Sequence, residues 1–207
     1  MPNDALNFSD ISHLDAEDAK QILRAKVRDA RKNYSERERA IAERQWIDTV
    51  LDYLTDYSRV AAFVSVSSEP PTHNLCKAIA DSGKSLLLPK LGPGLTRAWG
   101  YFQGLADLRQ LAPGRPPEPS GAAFDNEILR DVEAIIVPAL LISCYGERLG
   151  QGGGWYDRAL KETAPNTPVG ALVFPQEFVD FHLPQDVHDM PVSDAILPTE
   201  IISVSQI

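Results

Sequence analysis

The sequence predicts an α/β fold in which helices cover both faces of a mainly parallel sheet. Four short runs are almost uninterrupted in apolar residues, which is typical of strands that are buried on both faces. The first two runs flank a helical pattern, in the strand–helix–strand order of a βαβ unit. The runs are RVAAFVSV (59–66), SLLLP (85–89), VEAIIVP (132–138) and PVGALVF (168–174).

Two helices are predicted before the first strand. Ser12 and Asp15 stand at capping-box spacing before a segment with acids in its first turn and bases in its last, which suits the helix dipole. A second capping box, Ser35 with Glu38, precedes IDTVLDYL (47–54), whose apolar residues recur at i, i+3, i+4 and i+7. The sequence therefore predicts an N-terminal helical pair.

The other elements follow from local patterns. Residues 71–84 read as a helix that ends at Gly83, residues 155–163 as another helix, and residues 95–102 as an added strand. The segment APGRPPEPSGAA (112–123) has four prolines and two glycines, which predicts an irregular surface loop. This loop need not divide two domains, and we expect one domain over residues 1–207.

Composition narrows the class of protein. The net charge of −9 and the pI of about 4.9 disfavour binding to nucleic acid or to anionic membranes. Nine of the 20 basic residues lie between Lys20 and Arg44, however, so the sequence is compatible with a local anion-binding site near the N-terminus. The two cysteines form no zinc pattern. The sequence has neither a signal-peptide pattern nor a long apolar run, so we expect a soluble cytoplasmic protein.

The segment RLGQGGGWYDRAL (148–160) is the strongest candidate for a site. An apolar strand, a glycine run and a helix that begins near Trp155 can direct backbone N–H groups toward an anion, and Arg148 adds a planar fork of donors. No Lys-Ser or Lys-Thr follows the glycines, and Trp155 breaks the GxGxxG spacing, so neither common nucleotide motif is present. A plain glycine-rich turn is the alternative, but Arg148, the aromatic residues and Asp157 favour a site.

Five segments resemble one family. VPALLISCYGERLGQGGGWYDR (137–158) is similar to the signature of the 5-formyltetrahydrofolate cyclo-ligases, also called 5,10-methenyltetrahydrofolate synthetases. The other four segments occur in the family's order. They are Lys20, Leu23 and Arg24 for a Lys-x-x-Leu-Arg element, Glu69 and Thr72 for Glu-x-x-Thr, GKSLLLPK (83–90), and HDMPV (188–192). The chain departs from the family pattern at Trp155, usually Tyr, and at Ser193, where an acid is common.

The resemblance implies a fold and a reaction. The fold is a three-layer α/β sandwich with a Rossmann-like sheet, and the reaction converts 5-formyltetrahydrofolate into 5,10-methenyltetrahydrofolate with ATP and Mg²⁺, releasing ADP and phosphate. Phosphorylation of the formyl oxygen would create a leaving group that nitrogen 10 then displaces as the ring closes. Phosphoryl transfer is catalysed mainly by charge and alignment, which agrees with the lack of a convincing Ser-His or Cys-His arrangement.

The resemblance also implies roles for individual residues. The catalytic cations are Arg148 and Lys20, and Asp157 with Asp189 would hold Mg²⁺. ATP would be bound by Lys20, Arg24, Arg148, Leu149, Gly150, Gln151, Gly152, Gly153, Gly154, Trp155 and Tyr156. The folate, with or without a polyglutamate tail, would be bound by Val64, Glu69, Gly152, Gly153, Gly154 and Trp155. The expected partner is this small molecule alone, with no nucleic acid and no membrane, and the expected state is a monomer.

Without the resemblance, plainer interpretations stay open for several of these residues. A basic stripe on a helix is usually solvated, and we expect this of Arg28 and Arg31, which extend the stripe of Lys20 and Arg24. Asp157 could simply stabilise a helix N-terminus, and Asp189 could be a turn residue. Glu69 could be an acid in an exposed loop, and Trp155 and Tyr156 could be core residues.

Two other functions compete with an ATP-dependent ligase. One is a non-catalytic folate-binding or regulatory protein, and the other is an isomerase or CoA transferase on a related fold. A protein that only binds folate has no use for a phosphate-binding site. An isomerase or CoA transferase would need an acid–base catalyst or a glutamate nucleophile. The cations at Lys20, Arg24 and Arg148 therefore favour the ligase.

Overall fold

The fold is built on one large sheet with two small sheets beside it. The computed structural model describes residues 14–204. Its helices are α1 (Ala16–Arg31), α2 (Glu36–Tyr53), α3 (His73–Asp81) and α4 (Trp155–Leu160). Its strands are β1 (Arg59–Ala61), β2 (Ser85–Leu91), β3 (Arg97–Tyr101), β4 (Leu108–Arg109), β5 (Glu118–Pro119), β6 (Ala134–Pro138), β7 (Leu141–Ser143), β8 (Arg148–Leu149), β9 (Val169–Leu172), β10 (Phe178–Val179), β11 (Asp194–Ile196) and β12 (Ile201–Ser203).

The large sheet confirms the predicted α/β class. Within residues 14–204 it has seven strands in the order β12-β11-β9-β6-β1-β2-β3. The five inner strands are parallel, and the edge strands β12 and β3 run antiparallel to their neighbours. From β1 the chain passes first to β2 on one side and later to β6 on the other. The carboxyl ends of β1 and β6 therefore meet at a topological switch point, where open α/β sheets bind ligands.

Helices cover both faces of this sheet, as the apolar runs predict. Along β6, Ala134 and Ile136 belong to the core that also contains buried residues of α2 and α3. Ile135 and Val137 belong to a second core with residues of α4. Successive side chains of a strand point to opposite faces, so a strand between two cores must be apolar at every position.

A third core, which the sequence patterns did not predict, lies under α1. Leu23 and Val27 of α1 pack against Leu141 and Leu149 of a small sheet with the order β10-β7-β8. The hairpin of β7 and β8 continues the chain beyond β6 and places Arg148 at the carboxyl end of the large sheet. The first helix thus packs near the glycine run.

The predicted helix starts are only partly testable. Ser12 lies outside the described residues, and the N-cap of α1 is Asp15, whose carboxylate accepts from the Asp18 backbone N–H at 2.9 Å. The capping box of Ser35 and Glu38 at α2 is confirmed.

Several predicted bounds are too long. The run 59–66 pairs as a strand only to Ala61, since Thr72 Oγ1 accepts from the Ser65 N–H and donates to the Phe63 carbonyl, both at 2.8 Å. The helix predicted over 155–163 ends at Leu160, whose carbonyl accepts from the Thr163 hydroxyl. Part of the loop 112–123 is also regular, because β5 pairs with β4 and is buried.

The prediction that Arg31 is solvated is wrong. Its side chain is fully buried and forms two hydrogen bonds of 2.7 Å with the Glu177 carboxylate. It also donates to the Ala139 carbonyl at 2.7 Å. A buried guanidinium needs such partners because its desolvation is costly. Among the described residues, no helix is both long and apolar enough to cross a membrane.

Candidate active site

Three cations on successive turns of α1 contact the loops at the carboxyl end of the sheet. Lys20, Arg24 and Arg28 are spaced by four residues and therefore share one helix face. Lys20 Nζ forms a part-buried ion pair with Asp189, and Arg24 Nε donates to the Gly150 carbonyl at 3.1 Å. Arg28 is exposed, as predicted, and it also donates to the side chain of Gln151 at 2.9 and 3.1 Å.

Arg148 lies at the centre of the site. It is 5% exposed at the start of β8. Its Nη1 donates to the Pro138 carbonyl at the end of β6, at 3.3 Å, and its Nη2 pairs with the Asp157 carboxylate on α4. Its Nε is buried and has no hydrogen-bond partner among residues 14–204. The switch point of the sheet thus holds a guanidinium whose Nε–H is not satisfied by the described residues.

The cations and acids surround a cleft of about 230 Å³, here called the charged cleft. Its walls come from α1, the glycine run, α4 and the loop that precedes β11. The lining residues are Glu17, Lys20, Arg24, Arg148, Leu149, Gly150, Gly152, Gly154, Asp157, Asp186, His188 and Asp189. The cleft therefore combines three cations with four carboxylates.

The conformation of the glycine run explains its composition. Gly152 and Gly154 have φ values of 99° and 58°, in the left-handed region that favours glycine. A Cβ on Gly150 would lie 2.8 Å from Arg148 Nη1. Gly152 and Gly154 therefore serve the turn, and Gly150 leaves room for Arg148. The run is thus both a glycine-rich turn and part of the site.

A second cavity, here called the apolar cavity, lies on the other side of the same run. It has a volume of about 150 Å³. Its walls are mainly apolar, with one buried acid, Glu69. The lining residues are Phe63, Val64, Val66, Glu69, Pro116, Pro138, Arg148, Gly150, Gln151, Gly152, Gly153, Gly154, Trp155, Tyr156 and Asp157. Arg148, Asp157 and three glycines line both spaces, so the charged cleft and the apolar cavity share one wall.

Glu69 is held firmly although it lies in a loop. It is 7% exposed, its Oε2 accepts from the Val66 N–H at 2.9 Å, and its Oε1 accepts from Gln151 Nε2 at 3.3 Å. Burial raises the pKa of this carboxyl above its ordinary value. Burial also raises the pKa of Tyr156, near Glu69.

A wider groove of about 370 Å³ continues from the apolar cavity. The two spaces share Val64, Pro116, Trp155 and Tyr156, and the proline-rich loop forms the outer wall of the groove. The Arg97 guanidinium carbon lies 5.5 Å from the centre of the Trp155 ring. Trp155 Nε1 is buried and has no hydrogen-bond partner in the described part of the chain. The sequence predicted the loop at the surface but gave neither the loop nor Arg97 a role in the site, because neither belongs to a motif.

The structure separates the residues that the resemblance assigned to ATP. The charged cleft is lined by Lys20, Arg24, Arg148, Leu149, Gly150, Gly152 and Gly154. The apolar cavity, but not the charged cleft, is lined by Gln151, Gly153, Trp155 and Tyr156. Asp157 and Asp189 line the cleft together, and a metal ion held by both stays a prediction. Over residues 14–204 no cluster of three or more His, Cys, Asp or Glu side chains forms a complete metal site.

Comparison with known proteins supports the resemblance. The family model described as "5-formyltetrahydrofolate cyclo-ligase family" matches residues 16–198. A 5-formyltetrahydrofolate cyclo-ligase from Mycolicibacterium smegmatis is 33% identical over 67% of this chain and 73% of its own length. The protein of that name from Escherichia coli is 30% identical over 69% of this chain and 79% of its own.

A solved structure is also similar. The NMR structure of Aquifex aeolicus 5,10-methenyltetrahydrofolate synthetase superposes with a TM-score of 0.75 at 26% identity and covers 89% of this chain and 92% of its own. A synthetase of the same name from Mycoplasma pneumoniae superposes with a TM-score of 0.65 at 17% identity, which shows a shared fold.

Proposed function

The chain belongs to the 5-formyltetrahydrofolate cyclo-ligase family, and on that premise we propose that it converts 5-formyltetrahydrofolate into 5,10-methenyltetrahydrofolate with ATP and Mg²⁺. One observation supports this reaction more than any other. The glycine run and Arg148 form a wall that the charged cleft and the apolar cavity share. A phosphate donor on one side and a folate on the other would meet at this wall.

The charged cleft suits a polyphosphate bound together with a divalent cation. Three cations face four carboxylates, so the cleft by itself has no excess of positive charge. Mg²⁺ is usually held by one or two carboxylates together with substrate phosphates and water, and Asp157 and Asp189 provide such a pair. When bound, Mg²⁺ would supply charge neutralisation for the phosphates. Lys20, Arg24 and Arg148 would bind the remaining phosphate oxygens.

The apolar cavity suits the reduced pterin. The Glu69 carboxylate can accept hydrogen bonds from the ring amide and amino groups, and it is already oriented by the Val66 N–H. Val64, Trp155 and Tyr156 provide apolar and aromatic surfaces on which the ring can pack. We therefore assign the pterin to this cavity and the tail of the folate to the groove beyond it.

In this arrangement the formyl oxygen attacks the terminal phosphorus of ATP, and ADP leaves. Nitrogen 10 then attacks the formyl carbon and gives up its proton, which the departing phosphate takes as the carbon–oxygen bond breaks. Arg148, which lines both spaces, would stabilise the charge on the phosphoryl group while it is transferred. The chain supplies alignment and charge, and it needs no nucleophile of its own.

The reaction is tested by following the absorbance of the methenyl product from 5-formyltetrahydrofolate, with and without ATP and Mg²⁺. We expect product only when both are present. Lys20→Met should lower kcat/KM about a hundredfold, as the loss of one charge-stabilising donor does elsewhere. Lys32→Met, at the exposed lysine that caps the C-terminal end of the same helix, is the matched control. Product formed without ATP, or folate binding without any turnover, would reject the proposal, and the second result would favour the non-catalytic folate binder.

The single-domain organisation, the monomeric state and the cytoplasmic location stay predictions from the sequence. Size-exclusion chromatography with light scattering would test the monomer.

A further inference from the structure

Gln151 joins α1 to Glu69 through one side chain. Its Oε1 accepts two hydrogen bonds from Arg28, from Nε at 3.1 Å and from Nη2 at 2.9 Å. Its Nε2 donates to Glu69 Oε1 at 3.3 Å. Glu69 is 82 residues away in the chain and Arg28 is 123 residues away, so this contact exists only in the folded protein.

The chemistry of the three groups fixes the orientation of the amide. A guanidinium only donates hydrogen bonds, and a carboxylate only accepts them. Only the amide oxygen can face Arg28, and only the amide nitrogen can face Glu69. A flipped amide would place donor against donor and acceptor against acceptor, so Arg28 holds the Gln151 nitrogen toward the carboxylate.

The same helix also holds the backbone of the glycine run. Arg28 Nη2 donates to the Gln151 carbonyl at 3.1 Å, and Arg24 Nε donates to the preceding carbonyl, that of Gly150, at 3.1 Å. The side chain of Gln151 therefore reaches Glu69 only when the backbone at positions 150 and 151 is in place. That backbone adjoins the charged cleft, because Gly150 and Gly152 line it.

We propose that Gln151 is a positioning residue that fixes the Glu69 carboxylate for the folate ring and makes folate binding depend on the order of the glycine run. The inference rests on the proposed function. Phosphates in the charged cleft would order the run, hold the Gln151 amide against Glu69 and so tighten the binding of folate. Coupling of this kind is reciprocal, so folate would tighten the binding of the nucleotide by the same factor.

The test is calorimetric titration of the whole protein with 5-formyltetrahydrofolate. Titrations are done with and without Mg²⁺ and an ATP analogue whose terminal phosphoryl group cannot be transferred. In the unmodified protein we expect the analogue to tighten folate binding by a factor of about five or more. Gln151→Met should weaken folate binding about tenfold, the effect of losing one hydrogen bond to a charged group, and should bring the coupling factor close to one.

Gln151→Glu separates positioning from mere space filling. It keeps the shape of the side chain and an acceptor for Arg28, but it places a second carboxylate against Glu69. We expect it to weaken folate binding more than Gln151→Met does, while Arg28 preserves the stability of the fold. If Gln151 only filled space, the nearly isosteric glutamate would be the milder change.

Two further variants complete the test. Arg28→Met keeps Gln151 but removes the partner that orients its amide, so folate binding should weaken and the coupling should fall. Gln45→Met, an exposed glutamine on α2 that lines none of the three spaces, should change neither quantity. If the unmodified protein turns over substrate, but folate affinity and coupling are unchanged in both Gln151→Met and Gln151→Glu, the inference is overturned. Absence of turnover in the unmodified protein would instead reject the proposed function.

Discussion

Arg148 and Asp157 form an ion pair at the wall between the charged cleft and the apolar cavity, with Nη2 and Oδ1 2.5 Å apart. The two side chains are 3% and 20% exposed, and the Met190 N–H also donates to Asp157 Oδ1, at 3.2 Å. The carboxylate that we assign to Mg²⁺ is thus also the counter-ion of the arginine that we assign to phosphate. Metal and phosphate binding should therefore depend on each other.

The first prediction concerns Asp157. Asp157→Asn keeps the size of the side chain but removes the charge that attracts Mg²⁺, so we expect the Mg²⁺ concentration at half-maximal rate to rise about tenfold or more. The measurement is the rate of methenyl product formation over a Mg²⁺ series at saturating ATP. Asp48→Asn, an exposed position on α2, is the control. An unchanged Mg²⁺ requirement in Asp157→Asn would remove Asp157 from the metal site.

The second prediction concerns Gly150. A Cβ at this position would lie 2.8 Å from Arg148 Nη1, so Gly150→Ala should displace the guanidinium. We expect kcat/KM to fall about a hundredfold, because small displacements of a positioning group have effects of this size. Gly121→Ala, where a Cβ meets nothing within 4 Å, should retain the full rate. Equal rates in the two variants would show that Arg148 does not need its present position.

The third prediction is a pH dependence. Burial raises the pKa of Glu69 in the folded protein, so its ionised form destabilises the fold above that pKa. As the pH rises from about 4, the unfolded state loses this proton first, and stability falls relative to a variant without the group. The unfolding free energy of Glu69→Gln minus that of the unmodified protein should therefore increase with pH and level off above the folded pKa.

Urea denaturation at several pH values measures this difference. Glu69→Gln should also bind 5-formyltetrahydrofolate more weakly at neutral pH, because an uncharged amide is a poorer acceptor for the ring N–H groups. A difference in stability that decreases with pH would contradict the raised pKa.

The fourth prediction concerns the buried pair of Arg31 and Glu177. Arg31→Met leaves a carboxylate in the core with no cation, so we expect a loss of about 3–5 kcal/mol in the free energy of unfolding. Replacing both residues, Arg31→Met with Glu177→Leu, should recover much of this loss, since an apolar pair leaves no buried charge. Arg44→Met, at an exposed arginine of α2, is the control in the same urea titration. If the double variant is as unstable as the single one, the pair contributes through packing and not through charge.

The sequence by itself determined the parts of the molecule that local patterns encode. Apolar runs mark strands between two covered faces, and the βαβ order and the capping box of Ser35 and Glu38 follow from short-range spacing. The family motifs identified Lys20, Arg148 and Asp157, and the fold brings these three residues to one cleft.

The tertiary structure alone decided which polar groups became partners. Arg31 looks like the outer end of a solvated stripe, yet it lies in the core because Glu177, 146 residues away, meets it there. The contact of Gln151 with Glu69 depends in the same way on chain topology. Helical and strand periods report which side of an element is apolar, but they carry no information about which distant charge will offset the cost of burying a cation or a carboxylate.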